Sequence, residues 1–157
     1  MAYKNVNKSV PRIEGAEKVS GKMRYAADLD FPNALAAKIL RTSLPHARIL
    51  SIDTSKALKL RGVRAVITGA DVGSVMVGLR MKDMPLLARD RVRYVGEPVA
   101  AVAADTDEIA EEALNLIDVQ YQELPYVTDP LQAIAPGAPV LHDNPAAYKN
   151  APQREID

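Results

Sequence analysis

Cysteine is absent from this chain of 157 residues, and histidine occurs only twice, at His46 and His142. Without thiolates the chain can form no structural disulfide, no thiolate zinc site and no iron–sulfur cluster held by its own residues. Two imidazoles far apart in the sequence do not predict a ligand set for a metal ion. We therefore expect no metal site and no cofactor site within this chain.

Aromatic residues make up only 4% of the sequence and do not alternate with basic ones, so stacking on single-stranded nucleic acid is not expected. Lysine plus arginine and aspartate plus glutamate are balanced at 20 each, which leaves no net field that favours nucleic acid or an anionic membrane. The first residues lack an apolar signal core, and no apolar run is long enough to span a bilayer. These absences favour a cytoplasmic protein.

Fingerprints of nucleotide binding and of nucleophilic catalysis are also missing. The sequence contains no Gly-x-Gly-x-x-Gly after a strand, no Gly-x-x-x-x-Gly-Lys-Ser/Thr and no Gly-x-Ser-x-Gly. The nearest glycine pair, Gly69 and Gly73, is interpreted as a turn.

The clearest pattern lies in residues 91–105, in a chain whose length and 48% hydrophobic content suit one domain with a real core. Alternating residues from Arg91 onward predict a half-buried strand, and Gly96 then allows a sharp turn. Pro98 is expected at the first position of a second strand, because proline cannot donate to a sheet ladder. Residues 99–104 are small and apolar, which predicts a strand that is covered on both faces or lies close against a helix.

The sequence predicts two strand-helix-strand units. The first precedes residues 91–105, and the second begins with the strand at the end of that stretch. The first consists of a strand at residues 47–53, a helix at about 55–61 and a strand at 63–68. The second consists of the strand at 99–104, an amphipathic helix and a strand at 119–122. Asp105 followed by Glu108 fits a capping box at the start of the second helix.

Composition also suggests domain boundaries. Residues 1–14 are polar and form an N-terminal arm, residues 15–143 form the domain, and residues 144–157 form a C-terminal tail or linker. Within the domain, residues 69–89 are the least regular part and are rich in valine, leucine and methionine. This segment is either a loop folded over the domain's own core or a contact surface for a partner domain.

His46 and Glu97 are the two side chains with the best case for chemistry. His46 follows Pro45 in a loop and has no evident carboxylate to orient it, so a structural or exposed histidine is the favoured interpretation. Glu97 stands at a Gly-Pro corner, where a glutamate commonly accepts backbone hydrogen bonds. We assign no catalytic, cofactor-binding or metal residue.

The order of short motifs along the chain resembles a known family. These motifs are Gly21-x-x-x-Tyr25-x-x-Asp28, Leu40-Arg41-Thr42-Ser43-x-x-His46-Ala47-Arg48-Ile49, Gly62-Val63-x-Ala65-Val66, Gly69-Ala70-Asp71-Val72, Val92-x-Tyr94-Val95-Gly96-Glu97-Pro98-Val99-Ala100 and Val119-x-Tyr121-x-x-Leu124-Pro125. Together they resemble the opening of the molybdopterin-binding large subunits of the xanthine dehydrogenase and aldehyde oxidase family. The hydroxybenzoyl-CoA reductase and carbon monoxide dehydrogenase types are similar in this region. The resemblance runs from about residue 15 to residue 142.

The resemblance implies an α/β-hammerhead domain, an α+β fold with a mixed sheet and two helices. It also implies a complete enzyme that oxidises aldehydes, purines or aromatic acyl compounds with a molybdopterin-type molybdenum cofactor. Iron–sulfur and flavin groups (Fe–S, FAD) would lie on partner subunits. In such enzymes the cofactor segments and the catalytic glutamate lie beyond this region, so residues 144–157 would lead toward a missing molybdenum domain.

Three hypotheses follow. The chain is the structural N-terminal domain of such an enzyme, as a fragment or as one piece of a split subunit, and packs against molybdenum-binding domains. Alternatively, it is an autonomous small-ligand or protein-binding module with the same fold. A third, weaker hypothesis is an independent hydrolase or isomerase that uses His46 and Glu97.

Overall fold

The structure, a computed structural model, describes residues 9–29, 31–144 and 147–148. The chain divides into two compact units, Met1–Asn33 and Ala34–Asp157. Most of the predicted arm at 1–14 and nearly all of the predicted tail at 144–157 lie outside the described residues. Within the described ranges no helix is long and apolar enough to cross a bilayer.

The first unit contains a short helix, α1 (Gly15–Val19), and a single 3-10 turn at Ala26–Asp28. The 3-10 turn follows residues 22–25, which have no regular secondary structure. The turn has a local cause, because the carboxylate of Asp28 accepts a hydrogen bond from the backbone N–H of Tyr25 at 2.8 Å and closes the turn.

The second unit holds eight strands and four helices among its described residues. In chain order they are β1 (Ala36–Arg41), β2 (Ala47–Asp53), α2 (Ser55–Lys59), β3 (Val63–Thr68), α3 (Gly69–Val72), β4 (Met76–Val77), β5 (Met84–Pro85), β6 (Arg91–Val92), β7 (Pro98–Ala104), α4 (Asp107–Asn115), β8 (Asp118–Glu123) and α5 (Pro130–Ala133). The predicted strands at 47–53 and 63–68 are confirmed, and Pro98 opens β7 as expected.

The strands form two three-stranded sheets and one short hairpin. One sheet has the order β1-β7-β3, the other has the order β6-β2-β8, and β4 pairs with β5. Every described pairing is antiparallel, so the expectation of one mixed sheet is wrong in this detail. The physical reason is that α2 and α4 each carry the chain from one sheet to the other, so the strands that they join are never neighbours. The α+β class and the two strand-helix-strand units are confirmed.

The larger core lies between the β1-β7-β3 sheet and α4. Side chains of β7 and α4 that face each other are small and fully buried, namely Ala100, Val102, Ala104, Ala110 and Ala113. Small side chains allow a helix to lie close to a sheet, as the sequence predicted for residues 99–104. Lys38 of β1 pairs with Asp107 in the first turn of α4 at 3.0 Å, which adds a surface contact to the same packing.

The start of α4 differs from the prediction. Thr106 is the N-cap, and its hydroxyl accepts a hydrogen bond from the backbone N–H of Ile109. Asp105 is not the cap, because its carboxylate accepts two hydrogen bonds from Arg64 of β3, at 2.6 and 3.0 Å. Its backbone N–H donates to the carbonyl of Gly62 at 2.9 Å. Asp105 therefore ties β7 to β3 instead of opening the helix.

Gly69 is not in a simple turn but opens α3, where it is packed closely against residues 88–89. A Cβ atom at this position would lie 2.5 Å from the carbonyl oxygen of Ala88 and 2.8 Å from the Cα atom of Arg89. Both atoms belong to the backbone and cannot move away by changing a rotamer. The glycine is therefore required by close packing and not by phosphate binding.

We expect Gly69→Ala to lower the free energy of unfolding by about 1–3 kcal/mol, the usual cost of an added methyl in a closed site. Gly15→Ala is the matched control, because the Cβ would meet only ordinary contact, 3.5 Å from the Cβ of Arg12. Urea unfolding of the two variants measures the difference. Equal stability of both variants would contradict the close packing at Gly69.

Candidate functional site

Buried polar side chains mark one region of the second unit. Among the described residues they are Thr42, His46 and Glu97. The backbone N–H of Thr42 donates to the carbonyl of Glu97 at 3.1 Å, and the N–H of Gly96 donates to the carbonyl of Thr42 at 2.8 Å. The loop that follows β1 is therefore joined to the corner that precedes β7.

The carboxylate of Glu97 folds back onto its own corner. The side chain is only 1% exposed and accepts a hydrogen bond from the backbone N–H of Arg93. The N–H of Glu97 in turn donates to the carbonyl of Tyr94 at 3.2 Å, and Gly96 has a φ of 91°, which allows the sharp turn. The interpretation of Glu97 as an acceptor of backbone hydrogen bonds is confirmed.

Burial raises the pKa of the Glu97 carboxyl above its ordinary value, because the charged form loses its hydration. The backbone hydrogen bond from Arg93 and the positive charge of Arg93 act in the opposite direction and offset part of this effect. A raised pKa is a common property of general acids, but here the carboxylate is committed to the backbone of a turn.

His46 closes the same region from the other side. Its Nδ1 lies 2.7 Å from the carbonyl oxygen of Pro125, and a carbonyl can only accept, so Nδ1 carries the proton. The carbonyl of His46 accepts a hydrogen bond from the N–H of Leu124 at 3.0 Å. Nε2 is buried and has no hydrogen-bond partner in the described part of the chain. The histidine thus fastens the loop at residues 42–46 to the end of β8.

The structure does not join His46 and Glu97 into a catalytic pair. His46 is oriented by a backbone carbonyl and not by a carboxylate, and Glu97 binds the backbone of its own turn. Over residues 9–29 and 31–144, no group of three histidine, aspartate or glutamate side chains is placed to hold a metal ion. The motif segments around Thr42, Glu97 and Pro125 are joined here by hydrogen bonds to backbone groups, which leave Nε2 of His46 without a partner among the described residues.

A cleft of about 210 Å³ lies beside this corner and was not foreseen from the sequence. Its lining includes Asp83, Arg93, Glu97 and His142. The guanidinium Nε of Arg93 donates to the carbonyl of Leu141 at 3.2 Å, and Nδ1 of His142 lies 2.9 Å from the hydroxyl of Tyr148. No local sequence pattern predicts this cleft, because the residues that line it lie up to about 60 positions apart in the sequence.

Next to the cleft lies a larger apolar groove of about 420 Å³. It is lined by Ile39, Ile67, Val77, Met84, Pro85, Leu86, Leu87, Tyr94, Pro98 and Ala101. The β4–β5 hairpin forms one wall. Of the segment at 69–89, Leu87 and Ala88 are buried in the domain's own core, whereas Leu79 is 99% exposed. The interpretation as a loop over the domain's own core is therefore confirmed for residues 87–88, whereas the interpretation as a contact surface for a partner domain stays a prediction.

Comparison with known proteins decides the family. Residues 20–125 match the family described as "Aldehyde oxidase and xanthine dehydrogenase, a/b hammerhead domain". The chain belongs to this family. The match includes β1 to β8, both large sheets and the region of buried polar residues.

Relatives with named functions cover most of this chain. A probable xanthine dehydrogenase subunit of Bacillus subtilis is 49% identical over 134 residues, which are 85% of this chain and 18% of the relative. The nicotinate dehydrogenase large molybdopterin subunit of Eubacterium barkeri is 38% identical over 141 residues, 89% of this chain and 33% of the relative.

Solved structures agree with the fold. The quinoline 2-oxidoreductase of Pseudomonas putida 86 matches with a TM-score of 0.71 and 42% identity, over 80% of this chain and 17% of that one. This chain spans only about a fifth to a third of the length of the two curated relatives named above.

Glu97 should make stability depend on pH in a defined direction. An acid whose pKa is raised by folding stabilises the fold fully below its unfolded pKa, and that contribution is lost as pH rises through the folded pKa. We therefore expect the unfolding free energy of the wild type, minus that of Glu97→Gln, to fall as pH rises above about 4.5. Urea unfolding at a series of pH values measures this difference.

Glu112→Gln, a substitution on the exposed face of α4, is the matched control for the pH series. Glu97→Ala also removes the acceptor for Arg93 N–H, so it should cost about 1–3 kcal/mol of stability. A wild-type advantage over Glu97→Gln that grows with pH would contradict the raised pKa.

His46 is expected to act through its Nδ1–H hydrogen bond alone. His46→Ala should lower the free energy of unfolding by about 1–3 kcal/mol, because the carbonyl of Pro125 loses its donor. His46→Asn should cost less, since its amide N–H can occupy the position of Nδ1. If both variants lose stability equally in thermal unfolding, the hydrogen bond to Pro125 is not what His46 contributes.

Proposed function

We propose that this chain is the structural hammerhead domain of a molybdenum hydroxylase large subunit. The complete enzyme would oxidise an aldehyde, a purine or an aromatic acyl compound with water as the oxygen source. The observation that carries the proposal is the match of about 85% of this chain to relatives of which it spans only a small part. The names of those relatives include xanthine dehydrogenase and a large molybdopterin subunit.

The described residues do not fit a molybdopterin-type cofactor. Glu97 and Nδ1 of His46 bind backbone groups, Nε2 of His46 is the single buried side-chain polar atom without a partner among the described residues, and the space at the glycine of α3 is filled by residues 88–89. We therefore propose that no catalytic, cofactor or metal residue lies in this chain. The molybdenum cofactor would be held by the polypeptide that packs beside it.

Domain boundaries, partners and compartment form part of the same proposal. The arm would occupy residues 1–14, the domain residues 15–143, and the tail or linker residues 144–157. Partners would be the molybdenum-binding domains or subunit and iron–sulfur and flavin subunits, with neither nucleic acid nor membrane as a partner. The cytoplasm is the proposed compartment.

A second candidate is an autonomous binding module with the hammerhead fold. The apolar groove of about 420 Å³ favours it, because pockets of this size accept small ligands. The coding sequence around this chain discriminates between the two. Glycine-rich cofactor segments in frame or in an adjacent reading frame support the enzyme, and their absence supports the module.

Metal content tests the main proposal directly. The isolated chain is expected to contain no stoichiometric molybdenum and to show no hydroxylase turnover, because the part that the structure describes offers no ligand set. The same chain assembled with the molybdenum-binding polypeptide should contain molybdenum and oxidise its substrate. Elemental analysis of both preparations checks this, and stoichiometric molybdenum in the isolated chain would refute the structural role.

A further inference from the structure

Strand β7 is apolar on both faces, but the described chain covers only one of them completely. On one face Ala100, Val102 and Ala104 pack beneath α4. On the other face, the β4–β5 hairpin and residues 86–87 form walls of the apolar groove beside Pro98 and Ala101. That second face, here called the outer face, has no complete covering layer among the described residues, and Ile39 and Ile67 remain 44% and 40% exposed.

Two cross-strand rows make up the outer face. In the first, Ala101 of β7 lies between Ile39 of β1 and Ile67 of β3. In the second, Ala103 lies between Ala37 and Ala65. The four residues of β1 and β3 are exposed and the two alanines of β7 are half-buried.

The composition of these rows is unusual for a face in contact with water. An antiparallel sheet with one solvated face alternates apolar and polar residues, and the solvated positions are polar. Here all six positions are alanine or isoleucine. The first row also has a particular shape, because a small alanine between two isoleucines leaves a trough, and this trough is the floor of the apolar groove.

The shape and chemistry of the outer face limit what can cover it. The alanine row allows the backbone of another layer to approach closely, and the trough accepts an aliphatic or aromatic side chain. Among the groove's lining side chains, only Tyr94 has a polar group, a hydroxyl. A polar metabolite would lose hydrogen bonds to water there without gaining others, which is costly.

We propose that the outer face is the docking surface for the molybdenum-binding polypeptide, which lays an apolar layer on the alanine row and inserts a side chain into the groove. This inference rests on the proposed function. We assign the molybdenum-binding polypeptide to the outer face because the matched region is only 18% and 33% of the length of the two relatives. Most of their polypeptide therefore lies outside this region. A layer of that polypeptide would complete the burial that the two apolar faces of β7 require.

Methionine oxidation tests the proposal without any substitution. Met84 lines the groove, whereas Met76 lies on the same hairpin outside it, and the two side chains are 39% and 37% exposed. In the assembled enzyme we expect Met84 to be oxidised by peroxide about fivefold more slowly than Met76, because oxidation follows exposure. Peptide mass spectrometry at several times gives both rates.

Two outcomes would overturn the docking surface. One is oxidation of Met84 as fast as Met76, or faster, in an assembly that contains molybdenum. The other is protection of Met84 that appears only when a small apolar ligand is added. An assembly that contains no molybdenum at all would instead overturn the proposed function, so the two failures are distinguishable.

A substitution pair gives a second readout in the assembled enzyme. Ala65→Glu places a charge in the alanine row on an exposed position of β3, and should lower both the melting temperature and the molybdenum content of the assembly. Leu58→Glu, at a 52% exposed position of α2 away from the sheet's outer face, is the control and should change neither. If both variants assemble with full molybdenum and unchanged melting temperature, the outer face does not carry the contact.

Discussion

The contact between β7 and α4 is the constraint on which the rest of the fold depends. Ala100, Ala104, Ala110 and Ala113 have no exposed surface, so the helix can lie close against the middle strand of a sheet. A larger side chain at any of these positions would force the layers apart, because protein interiors have few voids. Helix α4 leads directly from one sheet to the other, so its placement also sets the position of β8.

The buried corner before β7 serves the same arrangement. β7 has to begin at Pro98 for its alanines to face α4, and the turn at Gly96 and Glu97 fixes that starting point. Burying a carboxylate costs free energy, because the charged form loses its hydration, and the raised pKa of Glu97 has the same cause. The cost is offset because the carboxylate satisfies a backbone N–H that would otherwise have no acceptor. The burial of the Glu97 carboxylate is thus explained by the architecture of the turn.

Local patterns predicted the parts of the fold that depend on local physics. The strands at 47–53 and 63–68 follow from short apolar segments bounded by turn and capping residues, and the position of Pro98 follows from its missing N–H. Non-local contacts explain the errors. Asp105 was expected to cap α4, but it is occupied by Arg64, which lies 41 positions earlier. The strand expected to begin at Arg91 ends after two residues, because the N–H of Arg93 bonds to Glu97 instead of a neighbouring strand.

The candidate site was predictable only in part. Glu97 was identified, with its correct structural role, because a glutamate beside glycine and proline has few other partners. The partner of His46, the carbonyl of Pro125, and the outer face of the sheet depend on strand pairing across tens of residues, which no local pattern specifies. The apolar composition of residues 99–104 predicted a strand that is covered on both faces or lies close against a helix, and the structure shows the packing against helix α4.

In the function proposed above, this domain is a scaffold whose sheet is completed by a neighbour that holds the molybdenum. An experimental structure of the assembled enzyme tests this claim most directly. We expect Ala103 and Ala65 to be in van der Waals contact with polypeptide from outside residues 9–144, and the molybdenum to have no ligand from this chain. Ordered water over the alanine row, or a side chain of this chain bound to the metal, would contradict it.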